Sequence, residues 1–202
     1  MAKYLLILSS LSCLLLVIHQ PAFSQEEKKI GFVTGGEVMI IEEGKQVSKI
    51  FPDDFRDTRW AIGDSLPYFE LTDINGQPVS SENIKDKIAI LNFTFVGCSG
   101  CRVEHESLKK ASDLYKNDDR IIFINFISSE PWRIKRYLDK YGSKGYLSVP
   151  VSQKMYKDYF RIVTAPTHIF VVNGQIKEAV SAPLWNEESY LFITDFIGSQ
   201  LF

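Results

Sequence analysis

The chain has 202 residues, of which 45% are hydrophobic, enough for one globular domain with a substantial core. Its formal net charge is −2, from 23 Lys and Arg against 25 Asp and Glu. Proteins that bind nucleic acid or an anionic membrane surface usually carry an excess of basic residues. This chain does not, so we expect no nucleic-acid partner.

The N-terminus has the pattern of a secretory signal peptide. Lys3 precedes an apolar run from Tyr4 to Ile18, and Ala22-Phe23-Ser24 supplies small residues at a cleavage site. We therefore predict a signal peptide over residues 1–24 and an exported protein, periplasmic or otherwise extracytoplasmic. Two alternatives stay open: an uncleaved anchor, for which the run is shorter than the usual ~20 residues, and a lipoprotein attached through Cys13.

Residues 25–62 form an N-terminal extension in this interpretation. Val38 to Ile41 and Gln46 to Ile50 are apolar or β-prone, and the residues between them have turn composition, which predicts a β-hairpin. No function follows from this segment. The main domain is expected to cover residues 63–202.

Hydrophobic periodicity and turn residues predict alternating strands and helices across the main domain. Strands are predicted at Tyr68–Thr72, Ile88–Val96, Ile121–Ile127, Tyr146–Val151, His168–Val172 and Gln175–Ala182. Helices are predicted at Ser81–Ile84, Ser99–Lys116, Pro131–Tyr141, Gln153–Phe160 and Asn186–Gln200. This order is typical of an α/β domain with a mixed central sheet and helices on both faces.

Two cysteines, Cys98 and Cys101, stand at the junction between a predicted buried strand and a predicted helix. A helix N-terminus stabilises a thiolate, so a C-x-x-C at such a junction is typical of a thioredoxin-like redox motif. Half of a zinc site is the alternative, but a second cysteine or histidine pair at close spacing is missing.

Removal of the predicted signal peptide would also remove Cys13 and leave Cys98 and Cys101 as the only cysteines. An exported protein with one close cysteine pair has no disulfide framework to stabilise its fold. A redox role for the pair is therefore favoured over a structural role.

The motif and the element order resemble the thioredoxin superfamily over residues 63–202, and most closely its exported TlpA/ResA-like thiol–disulfide oxidoreductases with a redoxin domain. The features that carry the resemblance are Gly63-Asp64-Ser65-Leu66-Pro67 with Asn75-Gly76, Asn92, Glu104 and Ala165-Pro166-Thr167. The resemblance implies a three-layer thioredoxin-like fold, extended at its N-terminus by the predicted hairpin. It also implies activity on protein disulfides as a reductant, a membrane or exported redox partner, a monomer, and no cofactor or metal.

The resemblance assigns roles to three residues of the redox centre. Cys98 would be the nucleophile that attacks a substrate disulfide, and Cys101 would resolve the mixed disulfide. Glu104 lies on the same helical stripe as Cys101 and would accept the Cys101 proton. We expect burial to raise the pKa of Glu104, and Glu104→Gln to stabilise the protein slightly.

The resemblance also implies a substrate-binding loop, with a cis peptide bond at Pro166. Ala165, Pro166 and Thr167 would present backbone to an extended substrate, and Gly97 would leave the rim of the site open, since the family usually has Trp there. Glu106 stands where a helix-kinking Pro is common in the family, which predicts a straighter helix over Ser99–Lys116.

Three other functions fit the sequence less well. A Sco-like copper chaperone shares the fold, but it has three residues between its cysteines and a His where this chain has Ala165. A peroxiredoxin-like peroxidase needs Thr or Ser three residues before the nucleophile and Pro seven before it, where Phe95 and Leu91 stand. A non-enzymatic module gives no reason for an isolated cysteine pair.

Overall fold

The computed structural model describes three N-terminal strands, Trp60 and residues 62–201. The strands are β1 (Ile30–Thr34), β2 (Glu37–Glu42) and β3 (Lys45–Ile50), and they form an antiparallel sheet in chain order. The pairing of β2 with β3 is the hairpin expected from the sequence, whereas β1 was not predicted. The predicted signal peptide lies outside the described residues.

The remaining strands are β4 (Glu70–Thr72), β5 (Pro78–Ser80), β6 (Ile88–Thr94), β7 (Ile121–Ile127), β8 (Leu147–Pro150), β9 (Thr167–Val172) and β10 (Gln175–Val180). A five-stranded mixed sheet is the centre of the domain, and its order is β10-β9-β6-β7-β8. Strands β6, β7 and β8 run parallel, while β9 is antiparallel to both β6 and β10. The mixed sheet predicted from the sequence is confirmed.

The helices cover both faces of this sheet, as predicted. They are α1 (Ser81–Ile84), α2 (Ser99–Val103), α3 (His105–Tyr115), α4 (Pro131–Tyr141) and α5 (Glu187–Leu201), and a π-helical segment spans Met155–Tyr159. Alternate residues of β6 contribute to two separate cores. Leu91 and Phe93 pack with α1 and the π-helical segment, whereas Ile88 and Ile90 pack with α3 and α5.

The helix predicted over Ser99–Lys116 is divided in two at Glu104, which corrects the expectation of one straighter helix. Glu104 has φ −81° and ψ −2°, at the edge of the right-handed helical region, and the regular helical repeat is interrupted at this one residue. The Glu104 carbonyl accepts the Ser107 hydroxyl and the Leu108 backbone N–H, each at 3.1 Å, so helical hydrogen bonding resumes directly after the break. The periodicity of the sequence does not show this break, because apolar spacing continues through it.

Within residues 62–201 and the three N-terminal strands, no helix has the combination of length and apolar character needed to cross a membrane.

Candidate active site

The redox centre lies where β6 ends and α2 begins. Cys98 is the N-cap residue of α2, and its Sγ is bonded to the Sγ of Cys101 in a disulfide. The backbone N–H of Cys101 donates to Cys98 Sγ at 3.1 Å. This amide belongs to the first turn of the helix, where N–H groups have no helical partner, so it is placed to stabilise a Cys98 thiolate.

The loop before β9 lies close to the disulfide. The peptide bond between Ala165 and Pro166 is cis, as the resemblance implied, and the Ala165 carbonyl oxygen lies 3.8 Å from Cys98 Sγ. A Cβ added to Gly100 would lie 3.1 Å from Pro166 Cδ, which is tighter than most Cβ contacts. A glycine between the cysteines therefore lets the loop pack closely against α2.

Gly97 and Thr167 contribute differently from each other. Gly97 is exposed beside Cys98 with φ +104°, a conformation that residues with a side chain rarely adopt. The Thr167 side chain is buried, and its hydroxyl bonds to the Thr164 carbonyl and to Ser181. Thr167 has no exposed surface and is paired with Phe93 of β6, so neither its side chain nor its backbone is open to a substrate in this structure.

The two sulfur atoms border different spaces. Cys98 lines an open groove of about 410 Å³, whereas Cys101 borders a cavity of about 10 Å³ that it shares with Lys144 and Tyr137. Both residues are largely covered, with exposed fractions of 8% for Cys98 and 4% for Cys101. The groove is what makes Cys98 the sulfur that an external molecule can reach.

A row of polar side chains crosses the sheet beneath α2. Asn92 of β6 is paired with Asn125 of β7 on one side and with His168 of β9 on the other. All three are buried, although most of the neighbouring positions in these strands are apolar. Buried polar groups need partners, and Asn92 and His168 find theirs in one carboxylate, that of Glu104.

Glu104 has no exposed surface, and its carboxylate accepts four hydrogen bonds from four parts of the chain. Oε1 accepts from Asn92 Nδ2 at 3.2 Å and from Lys144 Nζ at 3.1 Å. Oε2 lies 3.0 Å from His168 Nε2 and accepts from the Leu184 backbone N–H at 3.3 Å. The carboxylate is thus held by partners of the kind that stabilise its ionised form.

This environment corrects the expectation that the pKa of Glu104 is raised. Burial alone would raise it, but His168 and then Lys144, through charge and hydrogen bonding, hold the pKa of the carboxyl below its ordinary value. The sequence showed that Glu104 faces inward. It did not show the partners, because Lys144 and His168 are 40 and 64 residues away in the chain.

Lys144 was not identified from the sequence, since Gly142-Ser143-Lys144-Gly145 has the composition of an exposed loop. Its side chain is buried, and Nζ donates to the Cys101 carbonyl at 3.0 Å as well as to Glu104. Burial lowers the pKa of Lys144, and Glu104 offsets this only in part. Gly145 lets the loop pack closely enough to bring Lys144 inside, because an added Cβ would lie 2.3 Å from Ser112 Oγ.

His168 begins one of the strands predicted from the sequence, and its side chain is a partner of Glu104 inside the core. The sequence does not distinguish this role from simple packing in the strand. His105, next to Glu104 in the chain, is half-buried, and burial followed by nearby Lys144 lowers its pKa. In the part of the chain that the structure describes, no group of three or more His, Cys, Asp or Glu is placed to hold a metal ion.

A comparison with protein families matches the Redoxin model to residues 61–190, which is more than half of the chain. The chain belongs to the Redoxin family. The cysteine pair, the cis-proline loop and the mixed sheet of this redoxin agree with that assignment, which makes it a thiol–disulfide oxidoreductase of the thioredoxin superfamily.

The individual relatives share low sequence identity or short matched segments with this chain. This redoxin is 23% identical over 158 residues to the thiol–disulfide oxidoreductase ResA of Bacillus thuringiensis (strain Al Hakam), covering 76% of this chain and 91% of ResA. A candidate protein disulfide isomerase from Bacteroides thetaiotaomicron has the same fold, with a TM-score of 0.62 and 21% identity over 72% of this chain and 92% of that one. The mitochondrial protein SCO2 of Saccharomyces cerevisiae is 38% identical over 105 residues, but these cover only 46% of this chain and 35% of SCO2.

Proposed function

We propose that this redoxin is an exported reductant of protein disulfides that works through Cys98 and Cys101. One observation carries the proposal: the Cys98–Cys101 disulfide is at the start of α2, beside an open groove and 3.8 Å from the Ala165 carbonyl. A substrate in the groove could reach Cys98 while its backbone lies along the cis-proline loop.

In the proposed reaction, the Cys98 thiolate attacks one sulfur of a substrate disulfide. A mixed disulfide forms and the other substrate sulfur leaves as a thiolate. Cys101 then loses its proton and attacks Cys98 Sγ, which releases the second substrate thiolate and leaves the Cys98–Cys101 disulfide. The substrate gains two electrons, and the cysteine pair loses two.

The Cys101 proton needs an acceptor, and we propose the Lys144–Glu104 pair for this role. Lys144 borders the same small cavity as Cys101 and donates to Glu104 Oε1. A proton passed to Lys144 as Lys144 gives one to Glu104 leaves the lysine unchanged, and the neutral carboxyl is transient because the lowered pKa of Glu104 favours its return to the ionised form. The lowered pKa of Lys144 brings it nearer to that of a thiol, which eases this exchange. Glu104 thus keeps its proposed role, but with a lysine between it and the thiol.

The remaining parts of the proposal concern the whole protein. Residues 1–24 would be a signal peptide, residues 25–62 an extension, and residues 63–202 a thioredoxin-like domain. The mature monomer would receive electrons from a membrane or exported redox partner and pass them to protein disulfides. Support comes from the signal-like N-terminus and from the match to ResA over 91% of that protein.

Direct measurement of the redox couple tests the proposal. The reduced chain, freed of dithiothreitol, is expected to reduce one equivalent of a peptide disulfide, and Cys98→Ser is expected to reduce none. The reduction potential of the pair should lie nearer to about −270 mV, typical of a reductant, than to about −120 mV, typical of an oxidant. A potential near the second value would reverse the proposed direction of electron flow.

Selective alkylation tests the order of the two cysteines. In the reduced full-length chain, iodoacetamide is expected to label Cys98 at least about 10-fold faster than Cys101, because Cys98 borders the groove and has the helix amide at its sulfur. Peptide mapping by mass spectrometry separates the two sites from Cys13. Faster labelling of Cys101 would exchange the proposed roles.

The similarity to SCO2 raises the alternative of a copper chaperone, but the site residues that the structure describes do not favour copper binding. The histidine nearest the cis-proline loop is His168, whose Nε2 is already bonded to Glu104 inside the core. Cys98 and Cys101 provide two soft ligands, and no third is placed beside them in residues 62–201.

A further inference from the structure

The groove beside Cys98 has a distinctive composition. It lies between α2 and α4, and all of its charged side chains are basic: Arg102, Arg133, Arg136 and Lys140. The protein as a whole carries a net charge of −2, so this cluster does not follow from the composition. The fold places four exposed cations around the sulfur that a substrate must reach.

These cations have no anionic partner in the part of the chain that the structure describes. Every ion pair found there involves other residues. Within the groove, Lys140 Nζ lies 4.9 Å from the centre of the Tyr141 ring, and Lys140 and then Arg102 lower the pKa of the Tyr141 hydroxyl. Helix α4 has one carboxylate of its own, Asp139, which does not line the groove. An anionic ligand would find uncompensated positive charge here.

Aromatic side chains complete the groove. Trp132 is 63% exposed at its edge, and Tyr137 and Tyr141 line it. Exposed tryptophan, tyrosine and arginine together are the residue types that contribute most to protein–protein binding. A large exposed indole next to a reactive cysteine pair is suited to contact the segment that carries the substrate disulfide.

The groove does not end at Cys98. Val96 and Arg133 also line a second groove of about 770 Å³, which runs to Ala165 on the cis-proline loop. The charges of this second groove are mixed, since Glu130 lies there with Arg133 and Lys157. A ligand that spans both grooves is an extended polypeptide rather than a small disulfide, and only one of its two ends would meet a purely basic surface.

We propose that the groove between α2 and α4 binds acidic residues on one side of the disulfide in a polypeptide substrate. This inference rests on the proposed function and defines its substrate class. Arg102, Arg133, Arg136 and Lys140 would attract the acidic segment and hold it, while Trp132 packs against it. Acidic residues on the other side of the disulfide would bind less favourably, because the second groove carries charges of both signs.

Matched peptides test this inference. Four disulfide peptides of equal length carry glutamates before the cysteine, glutamates after it, glutamines on both sides, or lysines on both sides. At low salt, one of the two glutamate peptides is expected to show a kcat/KM about 10-fold above that of the glutamine peptide, and the lysine peptide a lower value. Arg133→Gln/Arg136→Gln is expected to remove most of this preference, and high salt to weaken it.

Lys135→Gln is the matched control, because Lys135 is an exposed cation of the same helix that lies outside both grooves. It should keep the full preference. Equal kcat/KM values for the glutamate and glutamine peptides would overturn the inference. If oxidised glutathione showed a kcat/KM as high as that of the preferred glutamate peptide, the assignment of the ligand as a polypeptide would be overturned.

A binding measurement separates this inference from the proposed function. The same peptides with serine in place of cysteine cannot react, and their binding can be followed by the tryptophan fluorescence of the protein. Tighter binding of one glutamate peptide is expected even if turnover fails, in which case only the proposed activity is wrong. Turnover of all peptides without any charge preference in rate or binding would leave the activity standing and overturn the groove assignment.

Discussion

Cys101→Ser is expected to leave the protein joined to its substrate by a mixed disulfide at Cys98. The groove gives a substrate access to Cys98, and among the described residues only the Cys101 thiol is placed to displace it, since the two sulfur atoms are close enough to form the disulfide. Turnover should fall by about 100-fold or more, because the second step of the exchange has lost its nucleophile. Mass spectrometry of the chain after incubation with a peptide disulfide measures the adduct and its position.

Cys98→Ser is the control for this trapping experiment. This variant should form no adduct at Cys101, which borders only the small cavity it shares with Lys144. Two outcomes would count against the proposed mechanism. One is normal turnover by Cys101→Ser, and the other is an adduct that forms equally well in both variants.

Glu104→Gln is expected to destabilise the protein by about 3 kcal/mol, the scale found when one partner of a buried ion pair is removed. Glu104 and Lys144 are almost completely buried, and the substitution leaves the Lys144 ammonium without its counter-charge. This reverses the small stabilisation expected from the sequence, where the carboxylate had no visible partner. Urea denaturation at neutral pH measures the free energy of unfolding.

The pH dependence of the same variant gives a second readout. Because the folded state holds the pKa of Glu104 below its ordinary value of about 4.3, its stabilising contribution is complete above that value. The contribution is lost as the pH falls through the lowered pKa. The stability difference between wild type and Glu104→Gln should therefore shrink in acid.

Glu106→Gln is the matched control, since Glu106 is an exposed carboxylate on the same helix. Its stability should stay within about 0.5 kcal/mol of wild type. The rate of disulfide exchange should fall by about 10-fold or more in Glu104→Gln, because a positioned proton acceptor is lost, and should not fall in Glu106→Gln. A Glu104→Gln protein as stable and as fast as wild type would show that the buried pair contributes neither stability nor proton transfer.

The sequence alone determined those features that depend on neighbouring residues. A buried apolar strand followed by a C-x-x-C and an amphipathic helix predicted the redox motif and its position at the strand–helix junction. Asn173-Gly174 stands between two of the predicted strands and is a pair that favours a tight turn, and both residues have the positive φ values that such a turn requires. The mixed sheet followed from the order of these local elements.

Only the tertiary structure decided the chemistry around the motif. The pKa of Glu104 depends on charges a few ångströms away through space, and these come from Lys144 in a loop and His168 on β9. The basic groove likewise arises because α2 and α4 lie side by side next to Cys98. Charges that lie far apart along the chain combine only when the fold brings them together, so local sequence could place the cysteines but not the electrostatic environment in which they react.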